Sequence, residues 1–247
     1  MKRLLPFLIL LAGCASSRNT AAKHWSLVWG DEFNYTGLPD STKWRYERGF
    51  VRNHEPQYYT VRRPENARVE DGHLVIETRK EPYRQAAYTS ASINTRGKFA
   101  FGYGRLEVRA KLPEGSGIWP AIWMLGAAQP WPAGGEIDIM EYEGSDTATI
   151  TATVHSPSGW TKGRALEAVR SPSRGYHVYA VERYPDRMDF FFDNHRYFTC
   201  RRAFQGTFYL LLNTALKSEL NGQPILDDGI FPQSFLVDYV RYYAQTP

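Results

Sequence analysis

An all-β sandwich is the fold class this sequence predicts, and three observations carry the prediction. Short runs of alternating apolar and polar residues recur along the chain with turn residues between them. Aromatic residues make up 15% of the 247 residues, and such rings suit pleated, half-buried surfaces. Beyond the N-terminal segment no stretch keeps a long 3.6-residue apolar period. The length of 247 residues suits one domain of the larger all-β kind, or at most two small ones.

The chain opens Met1-Lys2-Arg3, runs almost wholly apolar from Leu4 to Leu11, and then reads Ala12-Gly13-Cys14. A basic start, a short apolar stretch and small residues before a cut make residues 1–13 a secretory signal, too short to span a bilayer permanently. Leu11-Ala12-Gly13-Cys14 resembles the lipobox of bacterial lipoproteins. That resemblance implies cleavage before Cys14 and lipid on its thiol. The protein would then be exported and held at a membrane by lipid alone, in the periplasm or at the cell surface. An ordinary signal peptide cut nearby is the alternative. Residues 14–23 are small and polar and read as a tether, which leaves 24–247 as the folded domain.

With Cys14 lipidated, Cys200 is the remaining thiol, so no intramolecular disulfide is available and Cys200 reads as a small buried apolar residue. The formal charge of +4 falls to +2 once Lys2 and Arg3 leave with the signal. That balance, with no basic run and no Gly-rich phosphate loop, excludes nucleic acid as the expected partner. A monomer is expected.

The elements follow in order. Ala67 to Glu70 and His73 to Glu77 flank Asp71-Gly72, a strong hairpin signal. Arg105 to Ala110 alternates polar and apolar residues. Glu136 to Glu141 reads as a buried strand, and His177 to Glu182 and Met188 to Asp193 continue the series into the turn Asp193-Asn194. Phe208 to Leu212 and Leu236 to Tyr243 complete it.

The segment Glu136-Ile137-Asp138-Ile139-Met140-Glu141 carries the chemistry. Strand side chains alternate, so Glu136 and Asp138 share a face while Ile137 and Ile139 share the other. Strict alternation would put Glu141 with the isoleucines; one extra residue in a β-bulge near Met140 returns it to the acidic face. Charges are costly to bury, so three acids on an apolar strand point to a cleft. A solvated edge strand is the bland alternative. A calcium loop needs Gly-rich, oxygen-rich backbone, which the Ile and Met spacers deny. Two carboxylates flanking a bond are the equipment of glycoside hydrolysis, and retention needs them about 5–5.5 Å apart, within reach of a bulged strand.

The surrounding residues carry a resemblance. Trp119-Pro120-Ala121-Ile122-Trp123-Met124-Leu125 precedes the acidic strand, and Trp131-Pro132-Ala133-Gly134-Gly135 leads into it. Trp29-Gly30-Asp31-Glu32-Phe33-Asn34 stands near the start, with Phe231-Pro232-Gln233 and Val237-Asp238-Tyr239-Val240-Arg241 near the end. From about Trp25 to Tyr243 the set resembles family 16 glycoside hydrolases, particularly the laminarinase-like branch. The resemblance implies a concanavalin A-like β-jelly-roll of two curved antiparallel sheets with an open concave cleft for a polysaccharide. It also implies endo action with retention: Glu136 as nucleophile, Glu141 as acid/base and Asp138 as the assisting carboxylate. Asn53, Trp119, Trp123, Trp131 and His155 match substrate-side positions. No cofactor is implied for catalysis. A structural calcium is implied at Glu32, the Gly72 carbonyl and Asp238, away from the cleft.

Two positions depart from that pattern. Lys217-Ser218-Glu219-Leu220-Asn221-Gly222 replaces a Gly-Gly-x-Trp-Gly-Gly loop, and Ser92 stands where an Arg is common. Both touch substrate in the family. The expected substrate is β-1,3-glucan or mixed-linkage β-1,3-1,4-glucan, with an endo-β-galactosidase acting on agar-like, O-glycan or poly-lactosamine chains as the alternative. A non-catalytic carbohydrate-binding module is the reading from another class, and transglycosylation is open to any covalent glycosyl-enzyme.

Overall fold

The computed structural model describes residues 25–166, 171–202, 204–220 and 223–245. The signal segment, Cys14 and the tether to residue 23 lie outside the described residues, as do Asn221 and Gly222. The chain forms β1 (Trp25–Asp31), β2 (Arg45–Tyr46), β3 (Gln57–Tyr59), β4 (Ala67–Glu70), β5 (His73–Tyr83) and β6 (Ala86–Ser90). Next come β7 (Ser92–Asn94), β8 (Gly104–Lys111), β9 (Ile118–Gly126), β10 (Glu136–Glu141), β11 (Thr149–Ser156) and β12 (Gly159–Leu166). Then follow β13 (His177–Arg183), β14 (Met188–Phe192), β15 (His195–Cys200), β16 (Phe208–Leu216), β17 (Glu219–Leu220), β18 (Gln223–Pro224) and β19 (Gln233–Gln245). The one helical element among the described residues is a single 3-10 turn, Asp228–Ile230.

Two sheets stack into a β-jelly-roll. The outer sheet runs β15-β14-β13-β8-β19-β5-β6-β3, with β1 on β19 and β4 on β5. The cleft sheet runs β12-β11-β10-β9-β16-β7-β2. Pairing is antiparallel throughout the two sheets except between β3 and β6, which run parallel. The hairpin expected at Asp71-Gly72 joins β4 to β5, with both residues in the left-handed region (φ 51 and 76) that a two-residue turn of this twist requires. Asp193 and Asn194 do the same between β14 and β15.

The core lies between the sheets. Leu74, Ile76, Val108, Phe190, Phe235 and Val240 come from the outer sheet and meet Ile122, Met124, Ile137, Val154, Leu210 and Leu212 from the cleft sheet. Each such side chain stabilises the fold by about 1.5–3 kcal/mol relative to exposure. Cys200 belongs to this core, as its sequence surroundings predict. The cleft sheet is apolar on its other face too. Ala121, Trp123, Tyr209 and Leu211 form a second cluster there, with Leu125 against it. This explains why β16 is buried along its whole length and why its sequence does not alternate.

The approach to the acidic strand depends on a close crossing of backbones. Gly126, ending β9, lies so near Gly134 that an added Cβ would sit 2.2 Å from the Gly134 oxygen. Gly135, with φ 78, then turns the chain into β10 against the Phe204 ring. Backbone cannot swing aside as a side chain can, so Gly126→Ala is expected to cost about 3 kcal/mol. That is a fall in Tm on the order of 10 °C for a domain of this size, measurable by calorimetry. An unchanged Tm would contradict the crossing.

Candidate active site

β10 is bulged, and the bulge fixes the site. Against β9, Asp138 pairs with Trp123 but Met140 pairs with Ile122, so one residue is extra. The shift lies between Asp138 and Met140, which identifies the inserted residue as Ile139. Against β11, Asp138 pairs with Thr153 and Glu141 with Thr151, the same single insertion. Ile137, Ile139 and Met140 all enter the core between the sheets. Glu136, Asp138 and Glu141 therefore stand together on the opposite face and line one groove.

Cross-strand register lays the groove floor out in three rows. The first is Trp160, His155, Glu136, Leu125 and Tyr209. The second is Lys162, Thr153, Asp138, Trp123 and Leu211. The third is Arg164, Thr151, Glu141, Ala121, Asn213 and Ser92. The acids thus form a line across a groove that runs over β12 to β7. On one side of that line lie Arg52, Asn53, Glu55, Trp123 and Asn213, close to all three acids. On the other side a cavity of ≈ 560 Å³ holds Glu141 with Thr151, Thr153, Trp160, Arg164 and Lys217.

The electrostatics separate the acids. Asp138 is 4% exposed, and burial holds its carboxyl well above the usual aspartate range. Burial also raises Glu136, while the His155 charge and hydrogen bonds from Asp138 and Trp131 pull it back. His155 Nε2 lies 3.2 Å from Asp138 Oδ2, and that hydrogen bond raises the imidazole. Thr153 Oγ1 donates to Glu141 Oε2 at 2.9 Å. Asp138 is thus the carboxyl that keeps a proton, with Glu136 and His155 as the groups that share it. Glu136, Asp138 and His155 offer ligand atoms within 4.8 Å of one another and could also hold a divalent ion, which would compete with that proton.

His155→Gln tests this coupling. Removing a cation beside Glu136 raises the Glu136 pKa, so at a given pH less of it is ionised. The acid limb of kcat/KM is expected to move to higher pH. A limb that stayed put or moved down would contradict the coupling.

The remaining sequence-marked residues divide. Trp123 lies in the floor at 7% exposure, its Nε1 donating to Asn213 Oδ1 at 2.7 Å. It supports the groove more than it faces it. Trp119 lines both halves, with the Lys217 ammonium 4.2 Å from its ring centroid. Lys217 opens the stretch that departs from the family loop. Trp131 is 60% exposed and hydrogen-bonds Glu136. Asn53 takes a left-handed conformation, φ 55, and its Nδ2 donates to Glu55 Oε1 at 3.1 Å.

Two of the residues expected to hold calcium are engaged with guanidinium groups. Both oxygens of Glu32 accept from Arg241, at 2.8 and 2.7 Å, and Asp238 pairs with Arg109. Each carboxylate is already neutralised by a guanidinium, so these side chains do not fit a calcium ion as they stand.

Sequence reading passed over Trp160, 65% exposed beside His155, and Arg52. It also passed over a chain of buried hydrogen bonds that links two groove-lining residues. Asn213 Nδ2 donates to the Tyr59 hydroxyl, and that hydroxyl donates to Glu55 Oε2. Asn213 had a signal: it is a polar residue closing the apolar run Leu210-Leu211-Leu212.

A jelly-roll with paired carboxylates across an open groove is a glycoside hydrolase by fold and by site. The chain belongs to family 16: the profile described as "Glycosyl hydrolases family 16" matches residues 54–210. A relative named "Beta-glucanase" from Rhodothermus marinus is 42% identical, over 98% of this chain and 94% of its own. The crystal structure of the laminarinase from Rhodothermus marinus superposes with a TM-score of 0.85 at 40% identity, over 91% of this chain and 99% of that one. The "Keratan-sulfate endo-1,4-beta-galactosidase" of Sphingobacterium multivorum is 32% identical, over 92% of this chain and 57% of its own.

Proposed function

We propose that the protein is a retaining endo-β-glycanase that cuts β-1,3-glucan, with mixed-linkage β-1,3-1,4-glucan as a second substrate. The observation that carries the reading is the single-residue bulge that brings Glu136, Asp138 and Glu141 onto one open groove. A groove open along β12 to β7 admits a chain from the side, which suits internal cuts. Glu136 attacks the anomeric carbon as a carboxylate. Glu141, steadied by Thr153, gives its proton to the departing oxygen and then draws one from water. Asp138 holds a proton against Glu136 and passes it to His155 or back as charge on Glu136 rises and falls. The glucanase and laminarinase names of the relatives support the choice of glucan.

Product sizing on a glycan panel tests it. Mid-chain fragments from laminarin and lichenan are expected. Release only from agar or poly-lactosamine would favour the galactosidase reading, and binding without products would favour a carbohydrate-binding module. Longer products than the substrate would mark transglycosylation.

Export as a lipid-anchored protein belongs to the same proposal and rests on Leu11-Ala12-Gly13-Cys14. A large polymer is then met outside the cytoplasm. An acyl label on the wild type that disappears in Cys14→Ala is expected; an unlabelled wild type would contradict it.

A further inference from the structure

We propose that Arg52 determines specificity by holding a hydroxyl of a neutral sugar on the nucleophile's side of the cut. The inference rests on the catalytic reading of Glu136 and Glu141 given above. The groove itself supplies the direction. The space beside Arg52 adjoins Glu136 and Asp138, whereas the space across the acidic line adjoins Glu141 without Glu136. The sugar that is attacked must lie over Glu136, so the glycone occupies the Arg52 half and the leaving chain the other.

Two contacts, one of them braced by Ser92, fix the Arg52 guanidinium in that half. Its Nη2 donates to Glu47 Oε2. Ser92 Oγ donates to the same oxygen at 2.6 Å, which holds the carboxylate in place. The guanidinium carbon also lies 4.8 Å from the centroid of the Trp123 ring, itself tied to Asn213. The guanidinium is therefore built into the floor and wall of the groove. Its Nη1, however, is buried and has no hydrogen-bond partner among the described residues. A buried N–H donor without an acceptor is costly, and a guanidinium presents five such donors in a fixed fork.

The chemistry of the missing acceptor follows from charge. Glu47 already balances Arg52, so a sulfate or carboxylate would meet a neutralised pair. A sugar hydroxyl carries no charge to be matched, and a small turn of the guanidinium, whose side chain is 21% exposed, would present Nη1 to it. The Ser92 hydroxyl, on β7, shares a Glu47 oxygen with Arg52. The guanidinium of this wall comes from the Arg52-Asn53 turn.

The test compares wild type, Arg52→Ala and Arg52→Lys on laminari-oligosaccharides of increasing length. In Arg52→Ala, KM is expected to rise about tenfold or more for oligosaccharides that fill the glycone side, with the loss falling on KM and not on kcat. Product pattern should shift and the pH profile of kcat should stay as in wild type, with a modest fall in Tm from loss of the Glu47 pair. Arg52→Lys keeps charge but loses the fork, and should recover only a small part of the affinity. Wild-type KM and product pattern in Arg52→Ala would overturn the proposal. So would a uniform loss of kcat across all chain lengths with KM unchanged, which marks a structural role. Calorimetric binding of the same oligosaccharides in a Glu136→Ala background, with and without Arg52→Ala, reads the Arg52 difference without turnover. A wild type that binds them but never cleaves would fail the catalytic reading while still deciding the role of Arg52.

Discussion

Glu136→Ala is expected to lower glucan turnover by about 10⁴-fold or more, with Tm nearly unchanged. The loss is large because no other group in the groove can replace the attack. Asp138 lies within the same cluster, but burial raises its carboxyl well above the usual range and favours its protonated form. A protonated acid is a poor nucleophile. The loss should be partly reversed by azide, a small anion that fits the vacated space. Entering from the nucleophile's side of a β-linked donor with a good leaving group, azide would give the α-glycosyl azide. A variant that kept its rate on the true substrate, or yielded β-azide, would reject Glu136 as nucleophile.

Glu141→Ala is expected to separate the two half-reactions. Its glutamate gives a proton to the leaving oxygen and later takes one from water, so natural glucan should lose about 10²–10⁴-fold. An aryl glycoside with a good leaving group needs no proton at the first step. That step should remain fast, the second should slow, and a burst of aryl alcohol should precede a slow steady rate. Azide should now attack the accumulated intermediate from the opposite face and give the β-azide. The groove supports this division, because Glu141 alone of the pair lies in the Thr151, Trp160 and Lys217 half where the leaving chain rests. Absence of a burst, with equal losses on natural and activated substrates, would contradict the assignment.

Much of this was legible in the sequence because strand geometry is local. A period of two places Glu136 and Asp138 on one face, and the need to bring Glu141 to the same face demands one inserted residue. The structure makes that residue Ile139, with Met140 beside it in the core. The hairpin at Asp71-Gly72 was equally local, set by backbone conformation within two residues. What stayed hidden depends on register between strands distant in sequence. Nothing near Trp160 says that it will line the same cavity as Trp119 and Lys217. Nothing near Arg52 says that Glu47, Ser92 and Trp123 will close around it. The parallel pairing of β3 with β6 is hidden for the same reason. Asn213 is the intermediate case, since a buried amide in an apolar strand must find partners but does not announce which.

The most direct measurement is to trap the intermediate. A 2-fluoro-β-glucosyl or laminaribiosyl inactivator slows release of the glycosyl group, and peptide mapping by mass spectrometry then locates the label. The account predicts a single glycosyl adduct on Glu136, in the peptide that contains Ile137 to Glu141. A label on Asp138 or Glu141, or an initial product of inverted configuration with no adduct at all, would contradict it.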